Sequence, residues 1–388
     1  MPNETAACVA VVGPANAGKS TLLHQLDEKL QPLLDSFLVM QGNPDGIGRY
    51  LYHSPDLRND RDFKKSIKGE WGEGTVDRIC EWVTHGRRNL SLALLDFGGR
   101  HDERTAEGNA RMLRACSHYL VVARTTDPEG ASFWDGVCRE HGLVRVGWMR
   151  SWIEERDRPR PGTLEQGDGV HGSFQVDVRP GDPANDAELA PLVDKLVALS
   201  RPPDRIPYVD LDLRGDWLIH QIPDVAGRAS KIVELALRTG VVVLGGGAPI
   251  WAYLAGLRRA LAARPDARVF FYDPRQPISL VEIPAAPASP SIADAFTRDA
   301  LELSWREDGG RSVLELKIAT ANKFLPPSVP QNLASLPICS AAPTTDVGLS
   351  GKGPTWLHGT YARWLIAAGA RRLAVWDGRS QNFVQVWE

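Results

Sequence analysis

The chain has 388 residues, enough for two or three domains, and its net charge of −3 at pH 7 excludes a general basic field for duplex nucleic acid. Its 36 glycines and 28 prolines imply many turns, and its five cysteines show no paired metal-ligand spacing, which suits free thiols in a reducing compartment. No apolar run reaches membrane length and no basic-then-apolar leader opens the chain, so the expectation is a cytoplasmic protein with no membrane partner.

Ala6 to Val12 reads as a short apolar strand. It runs into Gly13-Pro14-Ala15-Asn16-Ala17-Gly18-Lys19-Ser20-Thr21 and then the helix-like Leu22 to Leu30. This is a phosphate-binding (Walker A) loop in the strand–loop–helix context its chemistry needs. Gly13 and Gly18 let the backbone N–H groups of Asn16, Ala17 and Thr21 wrap phosphates, Lys19 reaches the β and γ phosphates, and Ser20 ligates magnesium. A second strand, Ser36 to Met40, leads to a turn in which Asp45 either holds a water or metal or only turns the chain. Tyr50 to Glu73 is charged and turn-rich and reads as either a mobile loop or short helices near the nucleotide.

Leu90 to Leu95 is an apolar strand closed by Asp96-Phe97-Gly98-Gly99-Arg100. This fits a Walker B strand whose carboxylate holds magnesium together with Ser20. Helix-like Ala106 to Ala115 precedes a strand at Tyr119 to Arg124. Ser132 to His141 reads as helix, Leu143 to Trp148 and Ser173 to Val178 as strands, and Ala187 to Leu199 as an amphipathic helix. The alternation predicts an α/β fold with a doubly wound, largely parallel P-loop NTPase sheet over 1–200. No Asn-Lys-x-Asp guanine-reading motif is present, so the expected cofactors are ATP and Mg2+.

Arg201-Pro-Pro-Asp links to a duplicated second half. Val243-Leu-Gly245-Gly246-Gly247-Ala248-Pro249-Ile-Trp251 is followed by an apolar run and then Val269 to Tyr272-Asp273-Pro-Arg275. Gly348-Leu-Ser-Gly351-Lys352-Gly353-Pro354-Thr-Trp356 is followed by the same outline, ending at Trp376-Asp377-Gly-Arg379. The order and near-equal spacing predict two small duplicated α/β domains, 206–284 and 298–388, with Trp217 to Ile222 and Val313 to Ile318 as matching strands. A glycine turn opening a helix is an anion site, and an Asp-x-Arg closing the next parallel strand lies at the same sheet edge. Arg275 and Arg379 either grip a phosphate or pair with their neighbouring aspartates.

The stretches Ser350-Gly-Lys-Gly-Pro-Thr-Trp-Leu and Tyr272-Asp-Pro-Arg resemble those of CRISPR ring nuclease three, a small type III CRISPR-associated family. The resemblance covers the second half, taken twice. It implies a dimerising α/β fold, a homo-oligomer, and a cyclic oligoadenylate ligand, cyclic tetra-adenylate above all. It also implies cleavage with Mn2+, and some members carry a fused P-loop ATPase. Carried onto this sequence, it makes His358, Asp377 and Arg379 the catalytic candidates. Gly351, Lys352, Gly353, Pro354, Gly247, Asp273 and Arg275 become the ligand-binding ones. The family's helix histidines are missing: Ala252 to Leu261 has none, and the second copy has only His358, one turn early, with Arg363 and Ile366 where histidines are expected. Three readings stay open: an ATP-regulated ring nuclease, a sensor that binds the ring without cutting it, and a P-loop kinase.

Overall fold

The computed structural model describes residues 5–34, 36–42, 73–102, 104–159, 168–176, 185–201, 209–211, 225–246, 248–276, 279–285, 301–319, 325, 329, 333, 336, 345–351, 353–377 and 382–387. Asp45, the Tyr50-to-Glu73 loop (Glu73 itself excepted), Trp217 to Ile222, Gly247, Lys352 and Arg379 lie outside these. The chain divides into two compact units, Met1–Asp204 and Arg205–Glu388.

The first unit is built on six parallel strands: β1 (Ala7–Val12), β2 (Phe37–Gln41), β3 (Leu92–Asp96), β4 (His118–Arg124), β5 (Val144–Trp152) and β6 (Val170–Gln175). Their order across the sheet is β2-β3-β1-β4-β5-β6. Strand side chains alternate between faces, and β1 shows the consequence. Cys8, Ala10 and Val12 enter one core with Val76, Ile79 and Val83 of α2 (Glu73–Asn89), Met112 and Leu113 of α3 (Ala106–Ala115), and Trp134 of α4 (Pro128–Glu140). Val9 and Val11 enter the other, with Leu22, Leu23 and Leu26 of α1 (Lys19–Leu30) and Leu189, Leu192 and Leu196 of α5 (Asp186–Leu199). The sheet is thus wound on both faces, as the alternation predicted. Helix α2 was not foreseen. Its register pins β2 closely, since a side chain on Gly86 would run into Met40.

The second unit holds two sheets. One has the order β10-β9-β8-β7, from β7 (Val209–Asp210), β8 (Val241–Gly245), β9 (Arg268–Tyr272) and β10 (Leu280–Glu282). The other is β11-β12-β13-β14-β15, from β11 (Leu301–Asp308), β12 (Arg311–Ile318), β13 (Asp346–Gly351), β14 (Arg372–Asp377) and β15 (Asn382–Trp387). In each, two consecutive parallel pairs are closed by an antiparallel edge strand: β7-β8-β9 with β10, and β12-β13-β14 with β15. Even the register repeats, Val209 opposite Leu244 and Leu314 opposite Leu349. Helix α6 (Val225–Thr239) precedes β8, α7 (Ile250–Ala263) joins β8 to β9, and α8 (Thr355–Ala367) joins β13 to β14.

The two copies share one core, in which Trp251, Leu254 and Phe271 of the first pack with Trp356, Tyr361 and Leu365 of the second. Helix α7 lies against α8, β14 and β15. In return, a Cβ on Gly359 of α8 would stand 2.7 Å from the Phe271 ring, so that position tolerates only glycine at this approach. Arg363 donates to the Ile283 carbonyl at 2.6 Å and the Trp364 indole to Ala285 O at 3.3 Å. Each small sheet therefore covers its apolar face with help from the other copy, a burial that a unit this small needs.

Candidate functional site

The loop after β1 is shaped by what its glycines leave out. Gly13 takes φ +144°, and a Cβ there would meet Val122 O at 1.8 Å. Gly18 takes φ +85° as the residue before α1, and Asn16 is left-handed at φ 59° without being glycine. Such a non-glycine conformation costs energy and is kept where the surroundings impose it. Ala17 is buried in the α1 core, and Arg124 donates from Nε to Asn16 O at 3.1 Å. The loop's neighbours crowd it. A side chain on Gly99 would stand 2.3 Å from Ala15 N, and one on Gly130 2.5 Å from the Pro14 ring.

Lys19, in the first turn of α1, folds back over this loop. Its Nζ donates to Gly13 O at 2.8 Å and Pro14 O at 2.7 Å, which leaves one of its three donors for an anion. Burial pushes its pKa down to about 8, with the Asp96 carboxylate pulling the other way. Ser20 Oγ donates to Asp96 Oδ2 at 3.0 Å. Asp96 ends β3, the strand beside β1, directly opposite Val11, and is buried. The order β3-β1 is what brings the carboxylate to the loop. A hydroxyl and a carboxylate converging beside a turn of N–H groups form an oxygen donor set suited to Mg2+. Thr21 is buried in the same turn.

Beyond Asp96, the chain runs over the loop at Gly99 and then anchors on α3 and α4. Asn109 Nδ2 donates to Arg100 O at 2.7 Å. The His101 ring meets Phe133 and Trp134 edge-on at 5.4 and 5.5 Å. Burial and nearby His141 lower the His101 pKa. Sequence reasoning passed over His101 and Asn109, whose only signal was their nearness to Asp96.

In the second unit, the glycine turns and aspartates reach the same sheet edges. Leu349 pairs with Val375 and Leu244 with Phe271, so Gly351 and Asp377, and Gly246 and Asp273, follow two residues on. Gly246 and Gly351 have φ 105° and 107°. Pro249 and Pro354 precede their helices with extended backbone, φ/ψ −68°/161° and −66°/154°. The prolines thus stand just before the first helical turn, where extended backbone suits the proline ring. A Cβ on Gly351 would strike Leu316 O at 2.0 Å, and Gly353 lies over Leu357 and His358.

Arg275 is turned onto its own aspartate. Asp273 is buried and accepts from Arg275 N (3.1 Å), Nε (2.7 Å) and Nη2 (3.0 Å) and from Gln276 Nε2 (3.2 Å). Burial acts to raise its pKa, but Arg275 and these hydrogen bonds outweigh it and hold the carboxyl below the usual range. For the first copy the turn-shaping alternative is the arrangement seen. Asp377 ends β14 opposite Asn382. His358 is buried, with Nδ1 3.2 Å from Pro354 O. Burial lowers its pKa against backbone carbonyls that favour the charged form. The ring is enclosed beneath Gly353 of its own turn. No group of three or more His, Cys, Asp or Glu side chains able to hold a metal occurs among the described residues, and none of their helices is long and apolar enough to cross a membrane.

No family model matches the chain, and neither does any curated protein. Among solved structures, a match is found to the septum site-determining protein MinD complexed with Mg-ADP from Pyrococcus horikoshii OT3. The identity is 14% and the TM-score 0.33, over 50% of this chain and 94% of that one.

Proposed function

We propose that the first unit binds ATP with Mg2+ and hydrolyses it, and that this cycle governs the binding of a cyclic oligoadenylate by the second unit. The observation that carries the nucleotide reading is the convergence of Lys19, Ser20 and Asp96 at one loop. The loop N–H groups would cradle the β and γ phosphates, and the Lys19 ammonium would offset their charge without reorganising. Ser20 and Asp96 would hold magnesium, which supplies charge neutralisation on the phosphate oxygens when bound. The Gly98-Gly99 backbone, already against the loop, would respond to the γ phosphate. With no guanine-reading motif, adenine is the expected base.

The ligand of the second unit is inferred from the doubled glycine turns, their aspartates at the same edges, and the resemblance to the ring nuclease family. Of the readings left open, one observation favours a sensor over a nuclease: His358, the sole histidine of the two helices, is enclosed under its own turn. A homo-oligomer remains part of this proposal, with the two copies of one chain already paired. The test is an ATP hydrolysis assay with and without cyclic tetra-adenylate, with the ring followed in the same tube and Mn2+ added in one arm. A changed ATPase rate with an intact ring supports the sensor, and a linearised ring supports the nuclease. An unchanged rate and an intact ring would defeat the coupling, and phosphate moved to a small metabolite would favour a kinase.

A further inference from the structure

The duplication aligns Tyr253 with His358. Each stands four residues after the proline that precedes its helix, and each is buried, at 5% and 1% exposure. Both face main-chain carbonyls. Tyr253 Oη donates to Gly246 O at 2.7 Å; His358 Nδ1 meets Pro354 O at 3.2 Å, one helical turn back, and the Gly351 carbonyl, the counterpart of Gly246 O, also acts on its ring. Around them the copies agree closely: the φ angles of Gly246 and Gly351 differ by 2°, and Ala252 N bonds Pro249 O as Leu357 N bonds Pro354 O, both at 3.0 Å. Two chemically different side chains thus occupy one place in one turn and bind main-chain carbonyls there.

We propose that Tyr253 and His358 are equivalent positioning residues, each tying its glycine turn to the helix it opens, so that turn carbonyls face the helix and N–H groups face the ligand. This rests on the reading that the turns receive an anionic ligand. The physical need is specific. A backbone anion site works only if its carbonyl dipoles point elsewhere, and glycine-rich backbone flips readily unless a bond holds it. A carbonyl only accepts, so the Pro354 contact places the His358 proton on Nδ1. The enclosed ring then stays neutral, with no path for a proton to a ligand. A general acid or base would need such a path.

The test uses the full chain. In 15N-histidine spectra at pH 7, with His358→Phe identifying the signal, His358 should be the neutral Nδ1-protonated tautomer. An Nε2-protonated or cationic ring would overturn the proposal. Tyr253→Phe removes one hydroxyl and His358→Phe one ring's polar atoms. Each should speed amide exchange about fivefold at Ala252 or Leu357 respectively, the effect of losing one net hydrogen bond. Each should also weaken binding of labelled cyclic tetra-adenylate by about the same factor. His358→Tyr, which writes the first copy's solution into the second, should recover most of both. Exchange and binding unchanged in the Phe variants, or no recovery with Tyr, would refute the role. If the parent binds no cyclic tetra-adenylate, the proposed ligand fails, while the tautomer and exchange still decide the positioning role.

Discussion

Raising the pH above 8 should make ATP binding draw a proton onto Lys19. In the free protein, burial holds this ammonium at a pKa of about 8 against an ordinary 10.5. At pH 9 it is then roughly 10% charged, and a bound phosphate that restores the ordinary value makes it roughly 97% charged. Binding at pH 9 should therefore take up about 0.9 proton, and at pH 7 about 0.1. Affinity should be roughly tenfold weaker at pH 9 than at its neutral plateau. The assay is calorimetry of ATP–Mg2+ binding in two buffers of different ionisation enthalpy, with Lys19→Met as the control that takes up no proton. Stability carries the opposite sign. A lysine whose folded value lies below its unfolded one costs the free protein about 3 kcal/mol below pH 8. That cost is relieved as pH rises from 8 towards 10.5. The difference in unfolding free energy between parent and Lys19→Met should change over that window. Proton uptake below about 0.2 at pH 9 would show that Lys19 is not the buried phosphate partner described.

Asp96→Asn should cut ATP hydrolysis at least tenfold while changing nucleotide affinity less, measured by turnover and equilibrium binding. Hydrolysis at the parent rate would make Asp96 only a strand end. Gly13→Ala should abolish nucleotide binding, since its new methyl would lie 1.8 Å from Val122 O, and equilibrium binding checks it. Asp273→Ala should lower the stability of the second unit by about 2 kcal/mol, by removing the buried carboxylate that accepts from Arg275 and Gln276, as urea unfolding would report. Because the Asp273 pKa is depressed, this contribution is present above the ordinary carboxylate range and is lost as pH falls through its folded value.

The first unit was legible because its signals are local. A glycine-bearing loop between strand and helix, and an apolar run ending in aspartate, fix the site once the two strands are neighbours. Helix α2 was missed although Val76, Ile79 and Val83 are spaced for one face, because charged residues, threonines and two glycines interrupt the apolar pattern. Helix α6 was also missed, although Ala229, Ile232 and Ala236 are spaced for one buried face. The repeated outline was visible in glycine, proline and tryptophan. That the copies share a core was not, since Gly359 against Phe271 is a contact between distant segments. His358 became a catalytic candidate through the family resemblance, as the histidine of the second copy's helix. Only the structure shows that its ring faces Pro354 O, and that Tyr253 donates to Gly246 O from the matching place in the other copy.

The most direct measurement of the central claim is equilibrium titration of a fluorescent ATP analogue with Mg2+ into the parent chain and Lys19→Ala. Saturable binding at one site per chain is expected for the parent, weakened at least a hundredfold in the variant and displaced by unlabelled ATP in preference to GTP. Equal affinity in the two proteins, or no binding by the parent, would contradict the account.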